Sequence, residues 1–521
     1  MKRPLKIAII VLASLVVLAL VVSVGVNIFI NKQLPKIIAE RNDTAYDLTY
    51  EKIHFSVLKN TLSINNVLVQ PKENTDVKKE IDFFGEIAQI SVSGVNFYEL
   101  IKNKNLKAFT ISIVEPDITF LQSTEKDTLS STSKLTSVVD IDKINIEKAH
   151  LKMMDSSGDS LLREVFNFNA EVDGIHMGTY TVDKDIPFTY TDYSFKIDSL
   201  YSVVNDLQIA KSGTITIEQH HISVDHFRLL PYVSSQEFKN NETHSNTRLL
   251  VEVPKLSLKN TDWGYDDANE LYVRVGTIAI DSMNVKILDQ KEDKTVHKKE
   301  EVLEKPVQSL IPFRLDVAEL IIQKSSFNSL NSLSVQNVNI KVKKISNRVE
   351  EQLLIGELQL NNPELVHISS KKRKKKNNHM QLNDVVLIDQ IKINNAAYTL
   401  KKSNGIDNKL TVSGINLSLE NIRADDQTVL ENIPFTYKNL EFSTNKIHFN
   451  TGKNYNIYAN AIETNGQNVT VKDVKIVPKM TRKQHASRLK YAEDHYDVTV
   501  KSITLNAINW GFDRQDVFYI K

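Results

Sequence analysis

The chain has 521 residues, 41% of them apolar and 25% charged, with 65 Lys and Arg set against 64 Asp and Glu. This composition excludes wholesale disorder, and a net charge of +1 excludes a chain devoted to nucleic acid, whose phosphates need a basic surface. With no Cys, disulfide scaffolds, thiol catalysis and Cys-based zinc or iron–sulfur sites are excluded together.

Residues 1–6, MKRPLK, form a short basic stub, and Ile7 to Ile30 follow without a single charge. At ~1.5 Å per residue these 24 residues span about 36 Å, enough to cross a bilayer. A cleaved signal peptide has an apolar stretch of only ~7–15 residues, so the segment reads as a retained transmembrane signal anchor. Lys2, Arg3 and Lys6 precede it, and only Lys32 and Lys36 follow closely. That charge bias keeps the amino terminus cytoplasmic and sends the body across the membrane. A Cys-free exported body fits a bacterial periplasm, with the anchor in the inner membrane.

After residue 50 the dominant period is two. Ile111-x-Ile113, Ile215-x-Ile217, Leu358-x-Leu360, Leu417-x-Leu419 and Ile503-x-Leu505 alternate with polar residues. Such alternation predicts strands with one apolar and one wetted face. A further pattern contains steps of three, as in Ile141/Ile144/Ile146/Ala149/Leu151 and Ile388/Ile391/Ile393/Ala396/Tyr398. A step of three would turn a side chain to the wrong face, so each predicts a β-bulge or a tight corner.

A duplication at an ungapped offset of 247 relates 106–274 to 353–521. Ile186-Pro187-Phe188-Thr189-Tyr190 falls on Ile433-Pro434-Phe435-Thr436-Tyr437, Gly158 on Gly405, and Trp263-Gly264 on Trp510-Gly511. These are the chain's two Trp, and they read as structural aromatics at a strand corner. The resulting division is 1–6 stub, 7–30 anchor, 31–105 amino-terminal β region, 106–274 first copy, 275–352 connecting β region and 353–521 second copy. Repeats of this kind indicate a stacked, quasi-one-dimensional body. Lys521 aligns with Arg274, where the first copy continues into further β sequence, so either the sequence is a fragment or the second copy ends in an open strand edge, which would invite an envelope partner.

Ile90 to Leu121, Val138 to Gly158 and Val385 to Gly405 resemble the AsmA-like family of bacterial envelope proteins, as does the opening anchor followed by Tyr46 to Val69. The resemblance implies an inner-membrane anchor, a periplasmic β-groove and a role in phospholipid transport or outer-membrane homeostasis. It brings no catalytic residues.

The alternation alone leads to a similar expectation. An apolar sheet face with few helices to cover it needs either a second sheet or a ligand. The expected fold is therefore mostly β: one amino-terminal transmembrane helix, then an elongated, curved, repeat-built antiparallel β-groove that carries phospholipid or another acyl-chain lipid. Expected lining residues are Ile111, Ile113, Ile144, Ile146, Leu358, Leu360, Ile391, Ile393, Ile503 and Leu505. The alternative is a tethered β-sandwich scaffold that binds an envelope partner without carrying lipid.

No enzyme, cofactor or metal site is expected. Lys371 to Lys376 is a basic run whose first-copy equivalent, Thr124 to Leu129, is not basic, so it reads as a solvated hairpin loop. His220, His221 and His226 map onto Gln467, Asn468 and Asp473 and read as imidazoles on a wet strand face. Ser131-x-x-Lys134 lies in a low-complexity loop without the partner motifs that a hydrolase needs. Met153 to Asp159 reads as a hairpin turn.

Overall fold

A computed structural model describes residues 28 and 32 and most of 46–520. The gaps are 57–58, 73–82, 97–98, 100–104, 123–137, 179–180, 182–187, 241–246, 267–269, 291–312, 331, 348–351, 370–384, 429–432, 453, 466, 489–493, 509 and 513–517, and side chains are described only up to residue 508. The expected anchor at 7–30 lies outside the described residues apart from Ile28, and the basic run Lys371 to Lys376 and the loop holding Ser131 and Lys134 lie wholly outside them. Among the described residues no helix is long and apolar enough to cross a membrane.

The chain divides into two compact units, Met1–Val204 with Ile209–Val224, and Asn205–Gln208 with Asp225–Lys521. Both are built from strands. In the first unit these are β1 (Tyr46–Ser56), β2 (Thr61–Pro71), β3 (Phe83–Ser93), β4 (Leu106–Leu121), β5 (Val139–Met154), β6 (Leu161–Met177), β7 (Asp192–Ile197), β8 (Ser199–Asn205), β9 (Gln208–Ser212), β10 (Ile215–Glu218) and the start of β11 (His221–Pro231). From β1 to β6 each strand pairs with the next in sequence, and β6 then pairs with both β7 and β8.

The second unit begins with helix α1 (Ser235–Asn240), β12 (Thr247–Tyr265), β13 (Leu271–Asp281), β14 (Asn284–Gln290), β15 (Arg314–Ser329), β16 (Leu333–Ser346), β17 (Gln352–Asn361) and β18 (Glu364–Ile368). It continues with β19 (Val385–Lys401), β20 (Asn408–Ala424), β21 (Asn439–Ser443), β22 (Lys446–Asn450), β23 (Tyr455–Ala459), β24 (Ala461–Asn465) and β25 (Asn468–Pro478). Helix α2 (Arg482–Ala486), β26 (Val498–Leu505) and the short hairpin β27 (Trp510–Phe512) and β28 (Phe518–Ile520) complete it.

The sheets are mixed, which corrects the expectation of an antiparallel groove. β4 runs parallel to β5, β13 and β14 run parallel to β15, and β17 and β18 run parallel to β19. The connections preceding β5, β15 and β19 are 17, 23 and 16 residues long. A parallel pair needs a crossover of about a dozen residues or more, and these three stretches supply it. β18 and β19, the strands on either side of Lys371 to Lys376 in the sequence, pair parallel and so do not form a hairpin with each other.

The duplication recurs element by element. Adding 247 to β6 gives 408–424, the bounds of β20, and adding it to β9 and β11 gives those of β23 and β25. The Trp263↔Val273 pair of β12 and β13 becomes Trp510↔Ile520 of β27 and β28. Both helices begin with the same cap. Ser234 Oγ accepts the Glu237 N–H at 3.2 Å and Glu237 accepts the Ser234 N–H at 2.8 Å; Thr481 and Gln484 repeat the exchange at 3.3 and 3.1 Å. This reciprocal bonding satisfies donors that a helix start would otherwise leave open.

Many of the three-residue steps are corners, as the pattern requires. The step from Ile146 to Ala149 contains Lys148 at φ 53°, and that from Ile393 to Ala396 contains Asn395 at φ 52°. The β5–β6 and β19–β20 registers shift at these points. Glu115 with Asn362, Asn167 with Gly414, and Gly174 with Asn421 are further left-handed pairs at the same offset. Each left-handed residue uses up one step of the alternation, so the apolar side chains before and after it share a face.

The turn at Asp155 to Ser160 joins β5 and β6, as expected. Asp155 Oδ1 accepts the Asp159 and Ser160 N–H groups at 2.9 and 3.2 Å. These bonds, chiefly that from Ser160, hold the Asp155 carboxyl below its ordinary range.

Candidate functional site

Registered partners in neighbouring strands carry their side chains on the same face. In the first unit one register line reads Ile53, Ile64, Ile90, Ile113, Ile146, Ala170, Phe195, Ile217 and Ile222. A second reads Phe55, Leu62, Val92, Ile111, Ile144, Val172 and Tyr193. The positions between these two lines turn to the other face. There the side chains are Ser63, Ser91, Ser112, Asn145, Glu171 and Ser194. One face of the sheet is thus continuously apolar and the other polar.

The second unit repeats this. One line reads Leu256, Ile280, Ile322, Ile340, Leu360, Ile393, Leu417, Phe442, Thr464, Val469 and Leu505. A second reads Leu258, Ile278, Leu320, Val342, Leu358, Ile391, Leu419 and Leu440. On the other face lie Lys341, Gln359, Lys392, Ser418 and Glu441. At ~4.8 Å per strand, the eleven-residue line is about 48 Å long.

The expected lining residues fall on these lines. Ile111 pairs with Ile144 and Ile113 with Ile146; Leu358 pairs with Ile391 and Leu360 with Ile393. All eight are half-buried. Leu505 ends the longer line, and Ile503 lies one register step away opposite Val471. Both are more open, with Ile503 38% and Leu505 45% exposed. Among the described residues each unit's main strands lie in one sheet, and β27–β28 is a separate hairpin. Full burial is spread along the chain: it occurs at the first strands (Ile53, Phe55), at corners (Ala149, Ala396) and on the lines themselves (Ala170, Tyr193, Ile322, Val342, Leu419).

Two clusters of ion pairs lie on the polar face. Lys343 and Lys392 approach Glu357 at 2.8 and 3.5 Å, and Lys143 approaches Glu171 and Asp173 at 2.5 and 3.5 Å. The hydrogen bond from Lys343 holds the Glu357 carboxyl below its ordinary range; partial burial opposes the shift and Lys392 adds to it.

Trp263 on β12 faces Val273 on β13 and is 36% exposed, more open than a core anchor; the Trp510 side chain lies outside the described residues. His226 is exposed and takes φ 52°, matching Asp473 at φ 50°, so its part is a strand corner. Among the described residues no three His, Asp or Glu are grouped to hold a metal.

Sequence reasoning missed the bonds that hold the corners. Asn169 Nδ2 donates to the Asn167 carbonyl at 3.0 Å, and Asn416 and Asn339 repeat this on Gly414 and Asn337 at 3.2 and 3.3 Å. The available signal was an Asn two residues after each of these three left-handed positions. No protein-family model and no curated protein matches the chain.

Proposed function

We propose that the chain is a membrane-tethered, non-catalytic carrier of acyl-chain lipid in the bacterial envelope, AsmA-like in kind, with its body in the periplasm. The observation that carries this reading is the pair of largely apolar register lines in each unit, mostly half-buried and backed by a polar face. A half-buried apolar line of this length needs a covering, and an acyl chain supplies one without a second protein layer. Full burial of a CH₂ contributes ~0.8 kcal/mol, so ten half-buried methylenes contribute about 4 kcal/mol. Most positions along each line are Ile, Leu or Val, so a chain that slides by one strand exchanges most contacts for like ones. Sliding is therefore cheap while escape into water is costly.

The test compares the detergent-extracted parent with an Ile144→Glu, Ile391→Glu double variant by native mass spectrometry. Each Glu puts a carboxylate in the middle of an apolar line. The expected result is phospholipid adducts on the parent and their loss from the double variant, with the β circular-dichroism signal retained. Equal adducts on both proteins would sink the proposal.

A further inference from the structure

The two copies part company at one place on the polar face. In the second copy an open cavity of about 420 Å³ lies over β19, β20, β22 and β23. Its lining includes Thr399, Thr411, Ser413, Lys446, His448 and Tyr458. One register line carries four of them across the strands: Thr399 faces Thr411, Thr411 faces His448 and His448 faces Tyr458. The volume falls in the ~300–1,000 Å³ range of small-molecule sites.

The first copy fills the same place with side chains. Subtracting 247 turns Ala397 into His150, Thr411 into Glu164 and Ser413 into Phe166. His150 is held by Asp117 at 3.2 Å and by Glu164 at 2.8 Å, and the Phe166 ring meets it edge-on with centroids 5.4 Å apart. Thr399 stands where the first copy has Lys152, itself paired with Asp117 at 3.2 Å. Bulk and bonded charge in one copy have become small side chains in the other, on the same strands.

What remains in the second copy is an aromatic platform among hydroxyls. His448 and Tyr458 stack with planes 9° and centroids 4.7 Å apart, and Asn456 lies 3.3 Å from His448 Nε2. Tyr458 is 38% exposed, so the pair presents an aromatic face. Among the described residues the hydroxyls of Thr399, Thr411 and Ser413 and the Lys446 ammonium have no hydrogen-bond or ion-pair partner. The lining holds no Asp or Glu. Each hydroxyl both donates and accepts, and an aromatic face packs well against C–H groups. A planar base is best held by a ring on each side, and a lone anion by several cations. One platform beside three hydroxyls and a single ammonium suits a sugar better than either.

We propose that this cavity is a binding site for a saccharide of about one or two rings. The sugar stacks on Tyr458 and its hydroxyls bond to Thr399, Thr411 and Ser413, with Lys446 at the rim. A sugar free in solution and the sugar head of a glycolipid share this chemistry. The site stands apart from acyl-chain carriage, because it lies on the face opposite the apolar lines.

The test installs the first copy's filling as Ala397→His with Ser413→Phe, a pair that the same strands already accommodate at His150 and Phe166. Saturation-transfer NMR on the full chain in a sugar-free detergent uses maltose, chitobiose and digalacturonic acid as probes. Saturable binding of at least one probe to the parent is expected, weakened about tenfold or more in the filled variant. Tyr458→Phe, which keeps the ring, is expected to bind at least about fivefold more tightly than Tyr458→Ala, and this contrast serves if the filled variant does not fold. Octyl maltoside separates the two sources. If the filling removes transfer to the sugar protons alone, a free saccharide is supported; if it removes transfer to the octyl protons as well, a glycolipid head is supported. No saturable binding of any probe by the parent would overturn the proposal. So would parent-like binding by a folded filled variant, or equal binding by Tyr458→Phe and Tyr458→Ala.

Discussion

Asn169 accepts the backbone N–H of Lys148 across the β5–β6 boundary at 3.0 Å. The same bond joins Asn416 to Asn395, and Asn339 to Lys324, each at 3.0 Å. In all three places the bond spans two left-handed residues, one on each strand. The ladder is interrupted there, and the Asn side chain supplies the acceptor that the neighbouring backbone has lost. Asn169→Ala or Asn416→Ala is predicted to cost about 1 kcal/mol of unfolding free energy, read as a lower urea midpoint with an unchanged slope. An unchanged midpoint would mean that water replaces the amide without loss.

The two copies solve the β6 and β20 corner differently. Gly414 stands where the first copy has Asn167, both left-handed. A Cβ on Gly414 would lie 2.3 Å from Asn445 Nδ2. Gly414→Ala is therefore predicted to destabilise by about 1–2 kcal/mol, while Asn167→Gly is expected to stay within about 0.5 kcal/mol of the parent. Chemical denaturation of the two variants side by side checks this contrast.

Gly85 on β3 faces Ile118 on β4, and a Cβ there would meet the Asp117 carbonyl oxygen at 2.1 Å. The obstacle is backbone, which cannot swing aside as a side chain does. Gly85→Val is predicted to cost about 1–3 kcal/mol and to raise amide exchange in β3 and β4. Parent-like exchange would show that the two strands can separate locally at little cost.

Glu357 gives a pH test. Its carboxyl is held below the ordinary value of 4.5, first by the hydrogen bond from Lys343, with burial opposing and Lys392 assisting. A depressed carboxylate contributes stability above its unfolded value and loses it as pH falls through the folded one. Glu357→Gln is therefore predicted to lower the thermal midpoint slightly at pH 7 and to converge with the parent in acid below the folded value. A constant difference across that range would assign the effect to packing.

Much of this fold was legible because its signals are local. Alternation marked the strands, and the steps from Ile146 to Ala149 and from Ile393 to Ala396 marked the corners. The shared Ile-Pro-Phe-Thr-Tyr run and the paired Trp marked the duplication. Strand direction was not legible from pattern, since an apolar strand reads alike in a parallel or an antiparallel pair. Connection length held the missing clue: the residues between Leu121 and Val139 are more than a hairpin needs. Nor did residue type reveal which residue turns left-handed. Lys148, Glu115 and Lys324 do so without the freedom of glycine, because the neighbouring strand fixes the corner.

The lipid proposal assigns opposite surroundings to adjacent residues. Ile391 lies on the apolar line between Leu358 and Leu419, and Lys392 on the polar face between Gln359 and Ser418. A photo-crosslinking amino acid placed at either position, in cells, reads what touches that face. The account predicts phospholipid adducts at 391 and few or none at 392. Adducts at equal yield from both positions, or protein adducts alone at 391, would contradict it.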